Sequence, residues 1–313
     1  MSSSFSLAGT SPQITQIARA VVFGIDKGGV GKTSCSCNVA GQAAAAGYKT
    51  LIIDLDPVGA MHNDLGYDKE DGARLFDALR KGHPLPVIKD VRPNLDVVPG
   101  GAELRDLQGI LFSRGQAPME AFASLLSASL GAIAEPYDLI IIDTPPGDPW
   151  ITEGALCVAS ALVIPARPDD GTLDAVENTA KKFMRARHFN PDLRLAGAVM
   201  FGIGGASRRI ARQTRERLTE SLGEAAPVFE TRIRYMETAA VDSRRRGMLI
   251  HELSPAVEES VKQRFTAFKN GEAVEEDKAL LATDVGNLAK EYTALTREIF
   301  ARLLEIEAEV SND

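Results

Sequence analysis

Two lysines, three glycines and a threonine crowd into Lys27-Gly28-Gly29-Val30-Gly31-Lys32-Thr33-Ser34, a spacing suited to holding phosphate. Glycines 28, 29 and 31 let the backbone curl until successive N–H groups converge on one anion. Lys32 is then placed to reach the β- and γ-phosphates of a nucleotide, and the Thr33 hydroxyl to ligate Mg²⁺. Residues 27–34 are therefore the candidate nucleotide-binding segment. Carboxylates that would complete the site close apolar runs elsewhere. Asp143 ends Leu139-Ile140-Ile141-Ile142, while Asp54 and Asp56 follow Leu51-Ile52-Ile53. Asp143 and Asp54 are expected to support the metal, and Asp56 to position the attacking water. Strand alternation would put Asp54 and Asp56 on one face.

The surrounding elements must hold these groups together. Apolar Ala20–Ile25 precedes the glycine-rich stretch and an Ala-rich segment ending at Gly47 follows it, giving strand, loop and helix in turn. The helix N-terminus adds its positive dipole end to the same anion site. Further strands are predicted over 49–55, 94–99, 137–142, 161–165, 195–201 and 228–233. Helices are predicted over 73–79, 119–133, 173–187, 207–222 and 236–246. Strands interleaved with helices predict an α/β fold, a doubly wound, mostly parallel sheet with helices on both faces. The ligand then lies at the carboxyl ends of the strands. Residues 18–265 read as one domain, and the Ser/Gly/Thr-containing segment 1–17 as a flexible tail. Residues 266–313 read as a C-terminal helical extension. There Leu288, Tyr292, Leu295, Ile299, Leu303, Ile306 and Val310 recur at helical spacing, which suits packing on the domain or on a second subunit.

The loop departs from G-x-x-x-x-G-K-[ST] at its first glycine, where Asp26 stands, and carries the early lysine Lys27 instead. In this it resembles the deviant Walker A loop of the ParA/MinD family of dimeric ATPases. Asp54 to Gly59 is similar to that family's D-x-D-P-Q-G segment, with Val58 in place of glutamine. Asn94 to Pro99, Tyr137 to Pro146 and Val163-Ile164-Pro165 also match its pattern. The resemblance implies an ATPase of low intrinsic rate that uses ATP and Mg²⁺ and forms a homodimer when ATP-bound. It implies that Lys27 reaches the partner's nucleotide and that Asp56 serves hydrolysis, so Lys27, Lys32 and Asp56 are the expected catalytic set. Ile233 to Glu237 is similar to the segment whose arginine contacts DNA phosphates, which puts Arg234 in that role.

Composition narrows the choice within that family. With 44% hydrophobic and 25% charged residues the chain is ordinary for a globular protein. It has no apolar run of the roughly 18–20 residues that span a membrane, and Met1 to Gln16 do not form a secretory signal. Cys35 and Cys37 point apart on a helix, which disfavours metal-cluster carriers. The three cysteines fit small buried hydrophobes in a cytoplasmic protein. The net charge is −8, yet residues 181–246 hold 15 Lys and Arg against 7 acids, leaving −16 for the remainder. Arg208, Arg212 and Arg215 share a helix face by spacing, with Arg209 adjacent, and Arg244-Arg245-Arg246 extend the patch. These arginines suit nonspecific double-stranded DNA and a nucleoid-associated location.

A ParB-like partner that stimulates hydrolysis follows from the resemblance, with plasmid or chromosome segregation as the task. A ParA-like ATPase positioning a protein cargo is the alternative. A MinD-like membrane regulator is disfavoured, because Glu291, Glu298, Glu305, Glu307 and Glu309 outnumber the bases on the last helix.

Overall fold

The computed structural model describes residues 14–113, 117–169, 171–204, 207–270 and 280–312. Its first half contains β1 (Ala20–Phe23), α1 (Lys32–Ala45), β2 (Thr50–Asp54), α2 (Met61–Leu65), α3 (Ala73–Lys81), β3 (Ile88–Arg92) and β4 (Leu95–Val98). Next come α4 (Leu107–Ser113), α5 (Pro118–Ala134), β5 (Leu139–Asp143), α6 (Pro149–Val158), β6 (Ala161–Ala166) and α7 (Gly171–Arg187). The chain closes with β7 (Arg194–Phe201), α8 (Arg208–Leu222), β8 (Val228–Ile233), α9 (Glu237–Arg246), α10 (Ile250–Asn270) and α11 (Gly286–Asn312).

The eight strands form one sheet in the order β3-β4-β2-β5-β1-β6-β7-β8. Every described pairing is parallel except β3 with β4. β1, β2 and β5 are buried throughout, as expected of apolar strands covered on both faces. The strand β3 escaped prediction because its sequence, Ile88-Lys89-Asp90-Val91-Arg92, is polar and half exposed, and Asp90 sits at φ 53°. From it Arg92 reaches Gly247 O at 2.6 Å and the Glu252 carboxylate at 2.8 Å, tying the end of α9 to the start of α10.

Two apolar layers sandwich the sheet. Residues of α5, α6, α7 and α8 fill one of them, and residues of α1, α10 and α11 the other. The α11 row Leu288, Tyr292, Leu295, Ile299, Leu303 and Ile306 is buried in the second layer. The Glu298 carboxylate also accepts from Glu230 N at 2.7 Å and Thr231 N at 2.9 Å, fastening α11 to the edge strand β8. Thus α11 covers sheet in its own chain. Among the described residues no helix is long and apolar enough to cross a membrane.

Two expected boundaries fall inside ordered features. The end of the segment read as a tail is held. Thr15 N donates to Ser127 Oγ at 2.9 Å, Gln16 Nε2 to Asn190 Oδ1 at 3.0 Å and Ile17 N to Val158 O at 2.7 Å. The rest of that segment, 1–13, lies outside the described residues. Residue 265 falls within α10, so the helical extension begins inside a helix that starts in the preceding segment.

Candidate nucleotide site

Register along three adjacent strands builds the site. In the sheet β5 lies between β2 and β1, with Asp143 opposite Asp54 on one side and Phe23 on the other. The glycine-rich loop leaves β1 directly beyond Phe23, so it hangs over both carboxylates. Gly31 precedes the first residue of α1 at φ 86°, and a Cβ there would come within 2.6 Å of the Phe201 ring. Only glycine meets both demands. The start of the loop is pinned from α7. Asp26 N donates to Thr179 Oγ1 at 3.2 Å, and the Asp26 carboxylate pairs with Lys182 at 3.1 Å. The aspartate that replaces the usual glycine is thus an anchor whose partners lie far along the chain.

Lys32 is buried, and its Nζ donates to Lys27 O at 2.7 Å. Burial lowers its pKa, while the Asp143, Asp56 and Asp26 carboxylates oppose that shift. The Thr33 hydroxyl donates to Asp143 Oδ2 at 2.6 Å. Asp143 Oδ1 and Asp54 Oδ2 are buried without a hydrogen-bond partner. Two orphaned carboxylate oxygens beside a threonine hydroxyl form a set of hard oxygen donors, and that set fits Mg²⁺. Among the described residues no group of three or more His, Cys, Asp or Glu gathers to hold a metal.

Asp54 and Asp56 stay together, with Asp56 N donating to Asp54 Oδ1 at 2.9 Å, but only Asp54 is on the strand. β2 ends at Asp54, which is buried, so strand alternation does not extend to Asp56. Asp56 lies in the following loop, half-buried, where its Oδ1 accepts from Val58 N at 2.8 Å. Val58 itself is exposed. Lys27 Nζ pairs with Asp169 in the same chain, a residue beyond β6 that sequence reasoning passed over. Gly28 and Gly29 have open space around the positions a Cβ would take, and Ser34 lines a small cleft with Arg234 and Tyr235.

Comparison with known proteins agrees with this geometry. Residues 18–195 match a family model described as an AAA domain. Over 188 residues the chain is 31% identical to the chromosome partitioning protein ParA of Caulobacter vibrioides, covering 58% of this chain and 68% of that protein. The chain belongs to the ParA/MinD family. It is also 35% identical to the cell division protein PomZ of Myxococcus xanthus, over 46% of this chain and 44% of PomZ. Its fold is similar to that of McdA from Cyanothece solved with ATP, at TM-score 0.69 and 20% identity, covering 91% of this chain and 97% of McdA. The doubly wound sheet is thus that of a ParA/MinD-family P-loop ATPase.

Electrostatics at this family site yields a pH prediction. Burial raises the Asp143 pKa to about 7, against the opposing Thr33 hydrogen bond and Lys32 charge. Burial, then the Asp143 charge, likewise pushes Asp54 well above the carboxylate range. A folded pKa above the unfolded value of about 3.9 means that the folded state holds more protons between the two. Stability from Asp143 therefore falls as pH rises from about 4 to about 7, by on the order of a few kcal/mol. Asp143→Asn should raise the thermal midpoint of the nucleotide- and metal-free chain at pH 8 much more than at pH 5. Calorimetry at both values decides it, and equal shifts would show that this carboxylate titrates normally.

The eight arginines expected on DNA divide. Arg208, Arg209, Arg212, Arg244, Arg245 and Arg246 are exposed. Arg215 is half-buried, and its guanidinium donates to Val228 O at 3.0 Å and Phe229 O at 2.7 Å. It belongs to the packing of α8 on β8 and leaves the candidate patch. Arg234 is gripped by Glu291 of α11, with Nε 2.7 Å and Nη2 2.6 Å from Oε1. A phosphate there would compete with a carboxylate already in place.

Proposed function

We propose that this chain is an ATP-driven partition ATPase whose ATP-bound homodimer binds DNA nonspecifically and lets go on hydrolysis. The observation that carries the reading is the Thr33–Asp143 pair beneath the glycine-rich loop, in a chain of the ParA/MinD family. Loop amides and Lys32 hold the phosphates, with Thr33, Asp54 and Asp143 around Mg²⁺. Held by those residues, Mg²⁺ would supply charge neutralisation of the phosphate oxygens. Asp56, on a loop tip that faces solvent through Val58, orients the attacking water. Lys27 exchanges Asp169 for the partner's nucleotide when two copies close.

The cycle fits a low basal rate, stimulated by a ParB-like protein, and a cytoplasmic, nucleoid-associated chain that segregates a plasmid or chromosome. The DNA patch rests on exposed Arg208, Arg209 and Arg212 of α8 and Arg244, Arg245 and Arg246 of α9. Similarity to PomZ favours a second reading, in which the same cycle positions a protein assembly through another adaptor.

A test of the DNA arm measures binding to a random-sequence duplex with ADP and with ATP. ATP-dependent binding should fall steeply with salt. Joint replacement of Arg208, Arg209 and Arg212 by glutamate should reduce it more than tenfold while ATP binding stays intact. Arg234→Ala should matter less, because Glu291 already neutralises that side chain. Absence of DNA binding in both nucleotide states would turn the patch into a protein-docking surface.

A further inference from the structure

Arg167, just past the end of β6, has no part in the roles given above. Its Nη1 donates to Gly29 O at 3.1 Å, and Gly29 holds φ 69° in the middle of the phosphate loop. In a planar trans peptide the carbonyl and the following N–H point to opposite sides. A Gly29 carbonyl fixed toward Arg167 therefore turns the Val30 N–H away from it. In a curled loop whose amides converge, that is the direction of the anion.

We infer that Arg167 is a positioning residue for the nucleotide, locking the Gly29–Val30 peptide so that the Val30 amide is presented to phosphate. The guanidinium is itself held in place. It lies over the Tyr235 ring, 5.8 Å from the centroid. Gly202, at φ 82°, clears room for it, since a Cβ there would lie 3.2 Å from Arg167 Nε. The backbone turns sharply at the same point, with Asp169 N donating to Arg167 O at 2.9 Å, and the Asp169 carboxylate takes Lys27. Residues 167–169 thus grip the loop twice, at its first lysine and at its middle glycine. Lysine in place of Arg167 keeps a cationic donor but loses the planar fork that fits between ring and carbonyl.

The inference rests on the loop being the nucleotide site, and ADP binding by the wild-type chain tests that separately. Calorimetry should compare ADP and a non-hydrolysable ATP analogue on the full chain, for wild type, Arg167→Ala and Arg167→Lys. Arg167→Ala should weaken both nucleotides by a similar factor of about ten, the worth of one charge-assisted hydrogen bond, because the amide serves a phosphate common to both. Arg167→Lys, a cationic donor without the planar fork, should recover only part of that loss, with the nucleotide-free thermal midpoint unchanged in each variant. Should the alanine variant unfold, Arg167→Met keeps the stem and takes its place. Undiminished ADP affinity would overturn the inference. So would a loss confined to the ATP analogue, which would make Arg167 a direct partner of the γ-phosphate. A wild-type chain that binds neither nucleotide would remove the nucleotide site itself.

Discussion

Lys32→Ala is expected to weaken ATP binding by about a hundredfold and to abolish measurable hydrolysis. Lys32 is 6% exposed and donates to the Lys27 carbonyl, so its ammonium is held inside the loop where the phosphates would sit. A charge-assisted hydrogen bond contributes roughly 1.5–3 kcal/mol, and about 1.4 kcal/mol is a tenfold change in affinity. Two such contacts to phosphate account for the expected loss. Titration with a fluorescent ATP analogue measures it, with circular dichroism confirming the fold. An affinity within threefold of wild type would remove Lys32 from the phosphate site. The substitution also removes the cation beside Asp143, so its cost in thermal midpoint relative to wild type should be larger at pH 8 than at pH 5.

Asp56→Ala should separate binding from chemistry. The Asp56 carboxylate accepts from Val58 N in its own loop, and no described hydrogen bond joins it to residues 27–34. Its removal should leave ATP affinity within a few-fold of wild type and lower the hydrolysis rate by about a hundredfold or more, the range for a positioned acid or base. Phosphate release under single-turnover conditions, set beside ATP affinity, checks both halves. A loss of affinity matching the loss of rate would make Asp56 a binding residue. A full rate would pass the water-positioning role to another group. Val58 sharpens the comparison, since the apolar side chain that replaces glutamine here is exposed beside Asp56 and offers a water no hydrogen bond.

The parts legible in the sequence are those whose logic is local. Lys27 to Ser34 announces itself because a tight phosphate loop needs its glycines and lysines at fixed short spacings. Asp143 is equally plain, closing a run of buried β-branched residues. The row from Leu288 to Ile306 shows a helix with one apolar face, but not that the face covers the sheet of its own chain. What stays hidden is contact between distant segments. Arg167 and Asp169 meet the loop across 138 and 142 residues. Helical spacing placed Arg215 on the basic patch and the family resemblance placed Arg234 there, whereas Glu291, 57 residues after Arg234, decides what that side chain does. Alternation joined Asp54 to Asp56, but the strand stops between them and leaves one buried and the other on a loop.

The contacts made by residues 16–19 and by the last turns of α11 have a practical consequence. Ile17 bonds Val158 ahead of β6, and Gln16 bonds Asn190 ahead of β7. At the other terminus Glu307 bonds Arg19 ahead of β1. Each of these contacts lies at the amino ends of parallel strands, while the phosphate loop and Asp143 lie at their carboxyl ends. A label carried on the exposed side chain of Arg19 or Glu307 would therefore sit on the underside of the sheet, a full strand length from the phosphate loop. Such a label would follow the chain without crowding the phosphate loop or Asp143.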